Sequence, residues 1–115
     1  MPALSEQSLQ TCNKKSVSLT DIEIDCLLKE LNDWQLVVEQ KLPKIMKSYH
    51  FKDFISATHF ANKIAALAEI ENHHPRICIE WGKVNIGWWT HSPGGLFIND
   101  FIMAARCDKT YRELI

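Results

Sequence analysis

The chain has 115 residues, 46% of them hydrophobic and 23% charged, which is enough for one hydrophobic core and too little for two domains of ordinary size. With 13 Lys and Arg against 14 Asp and Glu, the formal charge of −1 supplies no field to draw the protein onto a phosphate backbone, so direct nucleic-acid binding is not expected. No apolar run approaches the ~18 residues that a membrane-spanning helix needs, so no membrane association is expected either.

Residues 1–18 are polar and aperiodic and read as a flexible N-terminal arm, with the folded domain over 19–115. The opening stretch lacks a basic region followed by an apolar core, which points to a cytoplasmic protein. Cys12, Cys26, Cys78 and Cys107 are scattered without a C-x-x-C pair, so reduced thiols are expected rather than a disulfide framework or a zinc knuckle.

Thr20-x-x-Glu23 is a capping box, and Ile24, Leu27, Leu28 and Leu31 follow at helical spacing, predicting a first helix over about 21–31. Trp34 to Gln40 and Lys44 to Phe51 are short, apolar and aromatic; with Lys41-Leu42-Pro43 between them they predict a strand hairpin. From Lys52 to about Glu71, Phe54, Ala57, Ala61, Ile64, Ala65 and Ala68 form a helical stripe uninterrupted by Gly or Pro.

Ile77, Ile79 and Trp81 then alternate with polar neighbours, Gly82-Lys83 interrupts, and Val84, Ile86, Trp88 and Thr90 alternate again, predicting a second antiparallel pair. His91 to Gly95 is a loop, and Phe101, Ile102, Ala105 and Leu114 mark a closing helix over about 98–113. The order predicts an α+β domain: a four-stranded antiparallel sheet with three helices packed on one face. On the other face, Gly87 leaves room beside the aromatic surface of Trp89.

Three of the five histidines fall at element ends: His73 and His74 in Asn72-His73-His74-Pro75, and His91 after the last strand. Proline biases the residue before it away from the helical region, so the pair sits at a boundary, where side chains can face outward. Imidazole exchanges protons near neutral pH, with an unperturbed pKa of ~6.5, which suits acid-base work. Glu69, one turn before His73, and Asp100, after the Gly94-Gly95 loop, are carboxylates that could orient these rings. Three histidines and a carboxylate could also bind zinc, but adjacent histidines on a helix diverge by ~100°.

Glu69-x-x-Asn72-His73-His74-Pro75 and Thr90-His91-x-x-Gly94-Gly95-Leu96-x-x-x-Asp100 resemble the signature of the pterin-4a-carbinolamine dehydratase family, with Trp34 and Phe51-Lys52-Asp53-Phe54 in support. The resemblance spans about residues 20–110. It implies the same fold, and loss of water from a 4a-hydroxytetrahydropterin to give a quinonoid dihydropterin, with the pterin as small-molecule substrate and no metal or organic cofactor. It implies His73 and His91 as an acid-base pair, His74 as a substrate-orienting residue, and Glu69, Asp100, Asn72, Pro75, Thr90 and Trp34 around them. It also implies a homodimer or homotetramer that serves aromatic amino-acid hydroxylases. Animal members additionally act as dimerisation cofactors of a homeodomain transcription factor, an alternative function on the same fold. Phe97 stands where the family often has Ser or Thr, which removes a favourable helix cap, and Trp88-Trp89 is bulkier than the usual pair.

Overall fold

The computed structural model describes residues 3–11, 17–91 and 94–115. The first helix, α1 (Asp21–Leu28), starts at the expected capping box: the Glu23 N–H donates to Thr20 Oγ1 at 3.3 Å, and the Thr20 N–H to Glu23 Oε1 at 2.9 Å. It ends at Leu28 rather than near residue 31, because the amides of Glu30 and Leu31 bond carbonyls only three residues back and tighten the chain out of α geometry.

Strands β1 (Gln35–Glu39) and β2 (Leu42–His50) are joined by a tight turn at Gln40 and Lys41, with φ of 52° and 66°. The spacer expected at Lys41-Leu42-Pro43 is thus misplaced, since Leu42 pairs with Glu39 and Pro43 with Val38. Two successive left-handed residues match the twist of a hairpin. Pro43 is tolerated because β2 pairs with its other neighbour only from Ile45 onward, so the missing N–H deprives no ladder partner.

Helix α2 (Phe54–Glu71) begins after Asp53, whose carboxylate accepts the Ser56 N–H at 2.8 Å. Ala57, Phe60, Ala61, Ile64 and Ala68 form its buried stripe. Strands β3 (Arg76–Glu80) and β4 (Lys83–Trp88) follow around a turn at Trp81-Gly82. Gly82 is required there: a Cβ would stand 2.9 Å from the Phe51 carbonyl oxygen, and Phe51 donates its N–H to the Gly82 carbonyl at 2.8 Å. Strand β4 stops at Trp88 instead of reaching Thr90, which makes an isolated antiparallel bridge to Gly95. Helix α3 (Ile98–Leu114) closes the domain.

The strand order is β1-β2-β4-β3, antiparallel throughout. The three helices pack on one face of this sheet, as the sequence predicts, and the core between the layers holds Ile45, Tyr49, Phe60, Ile64, Val84, Ile86, Trp88, Phe101 and Ile102. The opposite face is not bare. Met46 and Arg76 fill the space beside Gly87, and the Lys44 ammonium lies 4.3 Å above the Trp89 ring.

Of the stretch 1–18 read in the sequence as a flexible arm, residues 3–11 are held against the domain, while 1, 2 and 12–16 lie outside the described residues. Leu4 is buried, the Asn99 side chain exchanges two hydrogen bonds of 2.7 Å with the Gln10 backbone, and Arg106 donates to the Gln7 carbonyl at 2.7 Å. An aperiodic segment can still be held when helix side chains satisfy its backbone, and α3 does this over residues 3–11.

Candidate functional site

Asn72 sets the site's geometry by ending α2 in the left-handed region, at φ 51°. The His73 N–H then reaches back to the Ala68 carbonyl at 3.1 Å, closing a Schellman-type turn that satisfies the helix end. Beyond it, His73, His74 and Pro75 run in non-helical conformation into β3, so the paired imidazoles part company.

His73 turns inward. Its Nε2 lies 2.7 Å from Oδ1 of Asp100, a side chain with no solvent exposure in the first turn of α3. The other oxygen of Asp100 accepts the Thr90 hydroxyl at 2.8 Å and the Phe97 N–H at 3.0 Å. With Asp100 as a carboxylate, the proton of this bond sits on His73 Nε2, which leaves Nδ1 as the ring's acceptor in the neutral form. The imidazole also lies against the buried Trp88 indole, with centroids 5.4 Å apart and planes within 14°. Its side chain keeps 16% of its surface exposed.

His74 turns outward, and its Nε2 meets Glu69 Oε2 at 3.2 Å in an exposed pair. Of the rings that Glu69 could orient, it meets His74, beyond the left-handed turn at Asn72. His91 is exposed and stands edge-on to Trp89, with centroids 5.5 Å apart. Among the described residues no hydrogen bond or ring contact joins His91 to His73 or His74, although its neighbour Thr90 is tied to His73 through Asp100. Asn72 acts through the backbone, and Pro75 marks the entry to β3.

Trp34 belongs to another cluster. It is buried, and its indole N–H lies 3.2 Å from both oxygens of Asp108, which also accepts from Lys47 Nζ at 2.8 Å and the Tyr49 hydroxyl at 2.5 Å. This network pins the hairpin to α3; burial, then the nearby Cys107 and Asp108, pushes the Tyr49 hydroxyl well above the usual phenol range. Beside it, burial pushes the Cys107 thiol up to about 12. Sequence reading missed this network, since Asp108 and Lys47 carry no spacing signal.

The absent cap at Phe97 is compensated. Asp100, three residues on, accepts the Phe97 N–H that an open helix start would leave unpaired, so one carboxylate both starts α3 and holds His73.

Residues 17–110 match the family model described as pterin 4 alpha carbinolamine dehydratase. A relative from Marinobacter nauticus (strain ATCC 700491 / DSM 11845 / VT8), named "Putative pterin-4-alpha-carbinolamine dehydratase", is 47% identical over 96% of this chain and 100% of its own. One of the same name from Microcystis aeruginosa (strain NIES-843 / IAM M-2473) is 43% identical over 98% of this chain and 97% of its own. Among solved structures, a transcriptional coactivator/pterin dehydratase from Brucella melitensis superposes with a TM-score of 0.76 at 32% identity, covering 83% of this chain and 99% of that one. A pterin dehydratase-like protein identified as a RuBisCO assembly factor in the alpha-carboxysome gives a TM-score of 0.58 at 25% identity, over 70% of this chain and 90% of that one.

Proposed function

The chain belongs to the pterin 4 alpha carbinolamine dehydratase family, and from that premise we propose that it is a hydro-lyase that removes water from a 4a-hydroxytetrahydropterin by histidine acid-base catalysis. The observation that carries this reading is the 2.7 Å contact between His73 and the fully buried Asp100.

The reaction breaks the C4a–O bond. The departing hydroxyl takes up a proton and leaves as water, while the neighbouring ring nitrogen pushes electrons toward C4a and gives up a proton, yielding the quinonoid dihydropterin. Two proton transfers are needed, and positioned imidazoles supply such steps with typical gains of about 10²–10⁴-fold. His73 exchanges its proton through Nδ1, while Asp100 fixes Nε2 and stabilises the imidazolium. His91, exposed in the turn beyond β4, serves the second transfer, and His74, held by Glu69, orients the substrate. The pterin is the substrate, and these steps call on no metal or organic cofactor.

In the cell this activity would return pterin released by aromatic amino-acid hydroxylases to the reduced pool. Exposed apolar side chains on the sheet's outer strands, Leu36 and Val38 on β1 and Ile79 on β3, give a homodimer or homotetramer a physical route. The test is the decay of freshly generated 4a-hydroxytetrahydropterin with and without the native protein. Acceleration in proportion to protein supports the assignment, and decay at the spontaneous rate overturns it.

The names of the two similar structures, a coactivator and an assembly factor, favour a second reading in which the fold serves as an interaction surface. The readings separate in a His73→Ala variant, which abolishes a dehydratase and leaves a binding protein intact.

A further inference from the structure

A single hydrogen bond does not immobilise an imidazole. The ring can still rock about the Nε2···Oδ1 line, carrying Nδ1 through an arc, and reactions that depend on alignment lose rate steeply with small displacements. Trp88 supplies the missing restraint. Its indole is fully buried and lies against the His73 ring in an offset stack, 5.4 Å between centroids and 14° between planes. It cannot itself swing, because it is the last residue of β4, paired with Ile45, and is packed within the core beside Cys107. The stacking it provides is what an aliphatic side chain of similar bulk would lack.

We infer that Trp88 is a positioning residue for the dehydration: it fixes the plane of the His73 imidazole, so that Asp100 and Trp88 together leave Nδ1 one direction of approach. The inference rests on the dehydratase reading for its kinetic part and on geometry alone for its structural part. A protonated imidazole gains further from the indole face, since tryptophan is the strongest aromatic partner for a cation.

The test uses the full chain with Trp88→Leu and Trp88→Phe. Loss of the stack in Trp88→Leu is expected to lower kcat about tenfold or more with KM little changed, and Trp88→Phe, which keeps an aromatic face, is expected to recover most of the rate. A folded Trp88→Leu protein that turns over at the native kcat overturns the inference. The structural part is read in the native protein by NMR, where the carbon-bound ring protons of His73 should lie upfield and show contacts to the Trp88 indole. Absence of those contacts overturns it whatever the kinetics or the folding of the variants, and their presence supports it even where the native protein proves inactive toward the pterin.

Discussion

Asp100 holds the His73 imidazole at 2.7 Å from a position with no solvent exposure, and is itself held by the Thr90 hydroxyl and the Phe97 amide. Replacing the carboxylate by an amide keeps the shape and changes the chemistry. Asp100→Asn can offer N–H where an acceptor is needed, which turns the imidazole to the wrong tautomer. A loss of about 10²-fold in kcat with near-native circular dichroism is expected; native turnover in this variant would show that the tautomer does not matter.

Thr90 makes its contribution through one hydroxyl, donated to Asp100 at 2.8 Å. Thr90→Val preserves the volume and deletes the donor, leaving a buried carboxylate short of a partner at about 1–3 kcal/mol. Thr90→Ser should restore most of this. Urea denaturation of both variants checks it, and equal midpoints would remove Thr90 from the account.

The paired 2.7 Å bonds between Asn99 and the Gln10 backbone tie the N-terminal stretch to the residue immediately before Asp100. Asn99→Ala should cost about 1–2 kcal/mol for the two bonds. It should also speed amide exchange at Gln10, whose N–H donates to Asn99 Oδ1. Unchanged exchange there would mean that the contact is not populated in solution.

Two exposed carboxylates define an acid-side dependence. The Thr20 backbone N–H, then its hydroxyl, holds Glu23 below the usual carboxylate range, and hydrogen bonding to Ser56 does the same for Asp53. Because each binds its proton more weakly folded than unfolded, its stabilisation is complete above the ordinary carboxylate range and is lost as pH falls through it. The Tm of Asp53→Asn should therefore fall less steeply than that of the native protein between roughly pH 5 and pH 3. Parallel curves would contradict the cap's charge dependence.

The elements were legible where periodicity and caps agree: the apolar stripe of α2 and the capping box of α1 are both where spacing puts them. The turn at Gln40-Lys41 was not, because two left-handed residues without Gly or Asn leave no compositional mark. For the same reason Pro43 reads as a strand breaker, although it sits where β2 has no second neighbour. The sequence offered His73, His74, His91, Glu69 and Asp100 as candidates, but the pairing of carboxylate with ring depended on the backbone reversal at Asn72, a long-range consequence of helix termination. Trp88 was visible as a strand residue and as half of an unusually bulky pair, but its stacking on His73, between β4 and the end of α2, is a tertiary fact.

The central claim is that His73, aligned by Asp100, moves a proton in the dehydration. The most direct measurement follows the ultraviolet change as freshly generated 4a-hydroxytetrahydropterin loses water under excess enzyme, comparing native protein with a His73→Ala variant of confirmed fold. The account predicts rapid decay with the native protein and a rate lower by about 10²-fold or more with the variant. A folded His73→Ala protein that matches the native rate would contradict it.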